Sequence, residues 1–215
     1  MRPRVLAVAA LGVGVFTTAG VYARQAPDAR PDAAHPSATC GSDRWLVKTL
    51  ADPAAAKVNF ESVKPRTVED LRHLKVPANL KATSARRLGT ERTVYSVKGL
   101  LMSMKREDDS DLHLVIADPK FGGSMIVEFP TAACVTPATP AAQAAMAQAR
   151  ADIAGACGGE PGAKTVTLAG VATITGVGFF DRVHGQAGVA PNGIELHPAL
   201  SFTSADCKRV KPSSG

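Results

Sequence analysis

The chain has 215 residues, 45% of them hydrophobic and 20% charged, with a formal net charge of +6. That balance excludes a strongly charged, intrinsically disordered chain and leaves enough apolar residues for a real core. So small a charge, with aromatics at only 5%, also argues against a dedicated nucleic-acid groove, which needs a basic stripe and stacking platforms.

Arg2 and Arg4 precede an uncharged, largely apolar run from Val5 to Ala19, followed by small residues that put Val21 and Ala23 at the −3 and −1 places of a cleavage site. This three-part layout predicts a secretory signal over residues 1–23. The run is short and Gly- and Thr-rich in its later part, which disfavours a stable membrane span. No Cys stands just after the cleavage place, so no lipid anchor is expected, and no transmembrane span should remain after cleavage. Residues 24–39 are Pro-, Ala- and Asp-rich without apolar periodicity, and read as a flexible leader. A single domain is expected over residues 40–207, with a basic tail at 208–215 carrying Lys208, Arg209 and Lys211.

Four cysteines follow the signal: Cys40, Cys134, Cys157 and Cys207. They lack C-x-x-C spacing, and an exported chain meets an oxidising compartment, so two disulfides are expected in preference to a metal site. Spacing alone leaves three connectivities open.

Residues 43–60 hold Trp45, Leu46, Val47 and Leu50 and read as a short strand or an irregular wrap over the core. TVEDLRHL, from Thr67, is a short helix with a capping box between Thr67 and Asp70, stopped by Pro77. Residues 77–90 form a polar connector. TVYSVKGLLMSMK then alternates as a long strand with a bend at Gly99. REDDSD is a charged turn. DLHLVIADP is the next strand, with Leu112, Leu114 and Ile116 on one face and Asp111, His113 and Val115 on the other. SMIVEFP is the third strand. Thr139 and Pro140 open an Ala-rich helix that Gly155 should end. KTVTLAGVATITGVGFFD is a second long strand with Gly170 inside it, and GIELHPALSF is the last.

Strand, strand, strand, helix, strand, strand is the order of a five-stranded OB-like barrel, mainly β with two short helices. Mid-strand glycines are what let so small a sheet curl closed. Another small barrel or an α+β sandwich would also accommodate the elements.

In an OB-like barrel the loops after the first and fourth strands border the usual binding face. Here those loops, 106–110 and 182–192, carry the least generic residues. Asp109, Asp111, His113, Asp181, His184, Glu195 and His197 are therefore the candidate ligand-binding set, with Glu107 and Asp108 beside them. Carboxylates and imidazoles converging there could bind a divalent cation. The spacing matches neither HExxH nor an EF-hand loop. No GxSxG or catalytic-Cys signature is present, so no catalytic residues are assigned. Phe179 and Phe180 are adjacent and should face opposite ways, and the acidic first loop repels phosphate. Both points disfavour nucleic acid as a partner.

CGSDRWLVKTL, REDDSDLHLVIADP, SMIVEFPTAAC and TGVGFFDRVHGQAGVAPNGIELHPAL occur in this order, and together they resemble a family of uncharacterised secreted bacterial proteins over residues 40–203. The family carries no assigned activity, so the resemblance implies no catalytic residue. It does imply the pairing Cys40–Cys134, leaving Cys157–Cys207, against the rival Cys134–Cys157.

The functional expectation is an exported, secreted or periplasmic, non-catalytic binding module for a glycan, peptide, cation or envelope partner. The alternatives are a metal-dependent secreted hydrolase acting on phosphodiesters, and a structural accessory domain of the envelope.

Overall fold

The computed structural model describes residues 40–87 and 89–211, so the expected signal and leader lie outside the described residues. The fold is organised by β2 (Thr93–Arg106), which is long enough to serve both edges of one barrel. One edge pairs antiparallel with β3 (Leu112–Ala117) and the other with β6 (Val171–Phe180). From β3 the sheet runs to β4 (Ser124–Phe129), then parallel to β7 (Ile194–Thr203), and back antiparallel to β6. The circuit β2-β3-β4-β7-β6-β2 is a closed, mixed five-stranded barrel of the OB-like kind. The bend in β2 lies where its register with β3 shifts, between Leu101 and Ser103. Gly99 admits the close approach, since a Cβ there would stand 3.0 Å from the Ile116 side chain.

Strand parity fills the barrel. Leu112, Leu114, Ile116, Met125, Val127, Phe129, Ile194 and Leu196 all lie in one core cluster. The helix α3 (Pro140–Ala156) closes the barrel with Ala149 and Ile153. Its start follows the expected chemistry: Thr139 accepts from the Ala142 amide, with Pro140 at the first helical position. Its end does not. Gly155 lies inside the helix, and Gly158 and Gly159 take the left-handed conformation instead, with φ of 77° and 94°. The helix α2 (Val68–Arg72) has the expected capping box between Thr67 and Asp70.

Three sequence expectations change. Residues 43–60 are neither a strand nor an irregular wrap. They form α1 (Trp45–Lys48), a 3-10 turn at Pro53–Lys57 and the start of β1 (Asn59–Arg66), which pairs parallel with β2. α1 is four residues long, too short to show a helical period, and starts after Arg44 in the left-handed region, φ 53°. The long strand after α3 breaks at Gly170 into β5 (Val166–Ala169) and β6. There φ is 117° and a Cβ would meet the Asp206 carbonyl oxygen at 2.6 Å. The fold also passes Cys207, since β8 (Lys208–Arg209) pairs with β5 and so includes the first two residues of the expected basic tail.

The disulfides are Cys40–Cys134 and Cys157–Cys207, as the resemblance implies. The first closes a loop with a sequence separation of 94, worth about 4.7 kcal/mol in the chain-entropy picture. Among the described residues, no helix is long and apolar enough to cross a membrane.

Candidate functional site

Every residue of β3 is buried, as is every residue of β4 after Ser124. One face of each strand is explained by the barrel core. The opposite face is covered by residues 41–48 and by the loop 182–192. Parity delivers polar side chains to that covered face: Asp111 just before β3, His113 from β3, Glu128 from β4, Glu195 and His197 from β7. Register aligns them, with His113 opposite Glu128 and Glu195 opposite both Ile126 and Phe179. They line a cavity of about 280 Å³.

The cover is held down by buried ion pairs. Arg44 donates to both oxygens of Glu91, at 2.8 and 2.6 Å, and to the Phe180 carbonyl at 2.8 Å. Arg86 bonds Asp52 and the Val47 carbonyl. These pairs fix α1, and with it Lys48, over the cavity.

Within the cavity His113 is doubly fixed. Its Nε2 lies 3.0 Å from the Ala187 carbonyl, which can only accept, so Nε2 carries a proton. Its Nδ1 therefore faces Glu128 at 2.7 Å and Glu107 at 3.4 Å. Burial alone would lower the His113 pKa, but the hydrogen bond and charge of Glu128, aided by Ala187 and Glu107, raise it to about 9. A proton is thus held between Nδ1 and Glu128 at neutral pH. Burial pushes the Glu128 carboxyl up, against the pull of His113.

His197 is built in the same way. Nδ1 stands 3.1 Å from Glu195, while Nε2 points at Asp111 Oδ2, 3.6 Å away and beyond hydrogen-bond reach. Burial lowers its pKa, but Asp111 and Glu195 outweigh that and raise it to about 9. The edges of Trp45 and Phe179 wall the ring, at centroid distances of 6.5 and 5.7 Å. Lys48 bonds Asp181 at 3.3 Å. Burial works against the Lys48 charge, but Glu195, Asp181 and Glu128 overcome it and raise its pKa. Burial, then the neighbouring Asp111, pushes Asp109 up.

Three buried atoms in this cavity lack a hydrogen-bond partner: Asp111 Oδ2, Glu128 Oε2 and His197 Nε2. Asp111 Oδ2 and His197 Nε2 have only their 3.6 Å ion pair with each other, and buried polar atoms are normally hydrogen-bonded, so the cavity retains unused donor and acceptor capacity. The lining also sets seven carboxylates against one lysine and three histidines, a balance that favours a cation. Glu107, His113 and Glu128 offer one donor atom each, all within 4.8 Å of one another.

All seven residues picked out from the sequence line this cavity, on strands as well as loops. Asp109, Asp111, His113, Asp181, Glu195 and His197 stand in its walls, whereas His184 is exposed at the rim. Asp108 is exposed and lines a different hollow. Arg182, the first residue of the second loop, pairs with Asp43 and is 55% exposed at its side chain. Phe180 enters the barrel core while Phe179 lies under the cavity. Glu128 and Lys48 were not singled out from sequence. Glu128 had a signal: it is the lone charge in SMIVEF and shares the His113 face. Lys48 had none, because its place depends on the fold of α1. Compared with known proteins, the chain matches no family model, no curated protein and no solved structure.

Proposed function

We propose that the protein is an exported binding module whose pocket takes a divalent transition-metal ion of the zinc class on Glu107, His113 and Glu128. One observation carries this reading: with Nε2 committed to the Ala187 carbonyl, His113 aims Nδ1 at two carboxylates. Ligating histidines are typically oriented in this way, by a hydrogen bond from the other ring nitrogen. An ion would replace the proton now held between Nδ1 and Glu128. Imidazole with carboxylates suits zinc-like ions, while calcium prefers an all-oxygen cage. Export is supported by the signal-like start of the sequence and the two disulfides.

The test is calorimetric titration of chelator-treated protein with Zn²⁺. The expected result is saturable binding that His113→Gln abolishes at the Glu107–His113–Glu128 position, with the fold intact by circular dichroism. No binding, or binding indifferent to His113→Gln, overturns the proposal.

A second reading, metal-dependent hydrolysis, is favoured by the three-donor set facing a cavity of about 280 Å³. Catalytic zinc sites combine three protein ligands with an open position. Zinc-loaded protein that cleaves an activated phosphodiester, with loss in Glu107→Gln, would support it. Zinc-loaded protein without turnover above background leaves the binding reading.

A further inference from the structure

We infer that the pocket holds two metal ions, the second on Asp111 and His197. This rests on the metal-binding reading of Glu107, His113 and Glu128. The independent observation is the pair of orphaned atoms opposite that first set. Asp111 Oδ2 and His197 Nε2 are both buried, have no hydrogen-bond partner and stand 3.6 Å apart. That gap is too long for a hydrogen bond. It suits two neighbouring ligands on one ion: donors at about 2.0–2.2 Å in a tetrahedral set lie roughly 3.3–3.6 Å apart. His113 Nδ1 and Glu107 Oε1, at 3.4 Å, show the same spacing in the first set.

His197 also has its tautomer set for the task. Nδ1 bonds the Glu195 carboxylate at 3.1 Å, which leaves Nε2 as the ligand nitrogen. Asp111 is prepared likewise, because Oδ1 accepts from the Thr131 amide and only Oδ2 is free to ligate. Asp111 stands one residue before β3 and His197 on β7, with β4 between those two strands in the sheet.

Glu128 occupies the middle strand. Its Oε1 faces His113, and its Oε2 is buried without a partner. The β4–β7 pairing ends at Val127 and Leu196, and Glu128 and His197 are the next residue of each strand. Asp109 adds a carboxylate next to Asp111, whose amide it binds.

The experiment counts ions. Full chain stripped with chelator is reloaded with Zn²⁺ and weighed by native mass spectrometry. Two ions per wild-type chain are expected, falling to one in His197→Gln and to one in His113→Gln. One ion in the wild type that survives His197→Gln overturns the second site and leaves the first standing. One ion lost equally in both variants means a single shared site and overturns the pair. No ion at all overturns both readings. Should His197→Gln fail to fold, Asp111→Asn takes its place: a fall from two ions to one supports the second site, and two ions retained overturn it.

Discussion

The guanidinium of Arg44 grips the carboxylate of Glu91 through two hydrogen bonds, with side-chain exposures of 2% and 0%. Glu91 also accepts from the Phe180 amide at 3.2 Å and the Arg87 amide at 2.6 Å, so the pair joins the cover of the cavity to the end of β6. Removing one partner strands a buried charge, which typically costs about 3–5 kcal/mol. Glu91→Ala is therefore expected to lose that much in urea denaturation. A loss below about 1 kcal/mol, the range of a surface pair, would show that the buried contact is not maintained in solution.

Asp118 supplies a pH dependence remote from the cavity. Its Oδ1 accepts from the amides of Lys120 and Phe121 and its Oδ2 from that of Glu69, which ties the β3–β4 turn to α2. Burial alone would raise its pKa, but these bonds prevail and lower it. A lowered carboxylate contributes stability that is complete above the unfolded value, near about 3.9, and is lost as pH falls through the folded value. Asp118→Asn should thus melt below the wild type at pH 7, with the gap closing as the pH drops below about 4. A gap independent of pH would mean that the carboxylate charge is not what the three amides recognise.

Much of this arrangement was legible in the sequence, for physical reasons. Alternation in DLHLVIADP sets His113 on the face opposite Leu112 and Leu114, and the element order favours the barrel over a sandwich without deciding it. Thr139-Pro140 and Thr67-x-x-Asp70 fix two helix starts because capping is local chemistry. The rest depended on contacts between distant residues. The Trp45–Lys48 helix is four residues long, too short for periodicity to show, and is held by Arg44 reaching a residue 47 positions away. Gly170 breaks β5 from β6 because Asp206 approaches it, which no local pattern records. Glu128 sits in a strand that reads as core, marked only by its lone charge, and its role emerges when β3 sets His113 opposite it.

Glu128 should expose a conflict between stability and function. Burial pushes its carboxyl up, so the ionised group destabilises the folded chain, while the ionised group is the one a metal needs. The loss grows as pH rises above the ordinary carboxylate value, because the folded state then gives up a proton it holds more tightly than the unfolded chain does. In chelator at pH 8, Glu128→Gln is expected to gain about 0.5–2 kcal/mol in thermal or urea unfolding, the usual size of a gain made by relieving a functional site. With Zn²⁺ added, the wild type should rise in Tm and the variant should not. Equal rises in both proteins would remove Glu128 from the metal set.

Gly188 links the loop after β6 to the orientation of His113. Its φ is +78°, and a Cβ there would stand 2.3 Å from one methyl of Val115 and 2.6 Å from the other. Val115 is on the same face of β3 as His113, and Ala187, whose carbonyl holds His113 Nε2, immediately precedes Gly188. Gly188→Ala adds strain from both backbone and contact, so the loop must lift. That withdraws the Ala187 carbonyl and frees the His113 ring to turn. The expected outcome is a Zn²⁺ affinity weaker by about 10–100-fold, the usual effect of losing a group that orients a ligand, with an unchanged far-ultraviolet spectrum. Val115→Ala should recover part of the affinity in the Gly188→Ala background by making room for the new methyl, while leaving the positive φ unrelieved. If Gly188→Ala binds Zn²⁺ like the wild type, the Ala187 carbonyl does not set the tautomer, and the ring must be oriented by Glu128 and Glu107 alone.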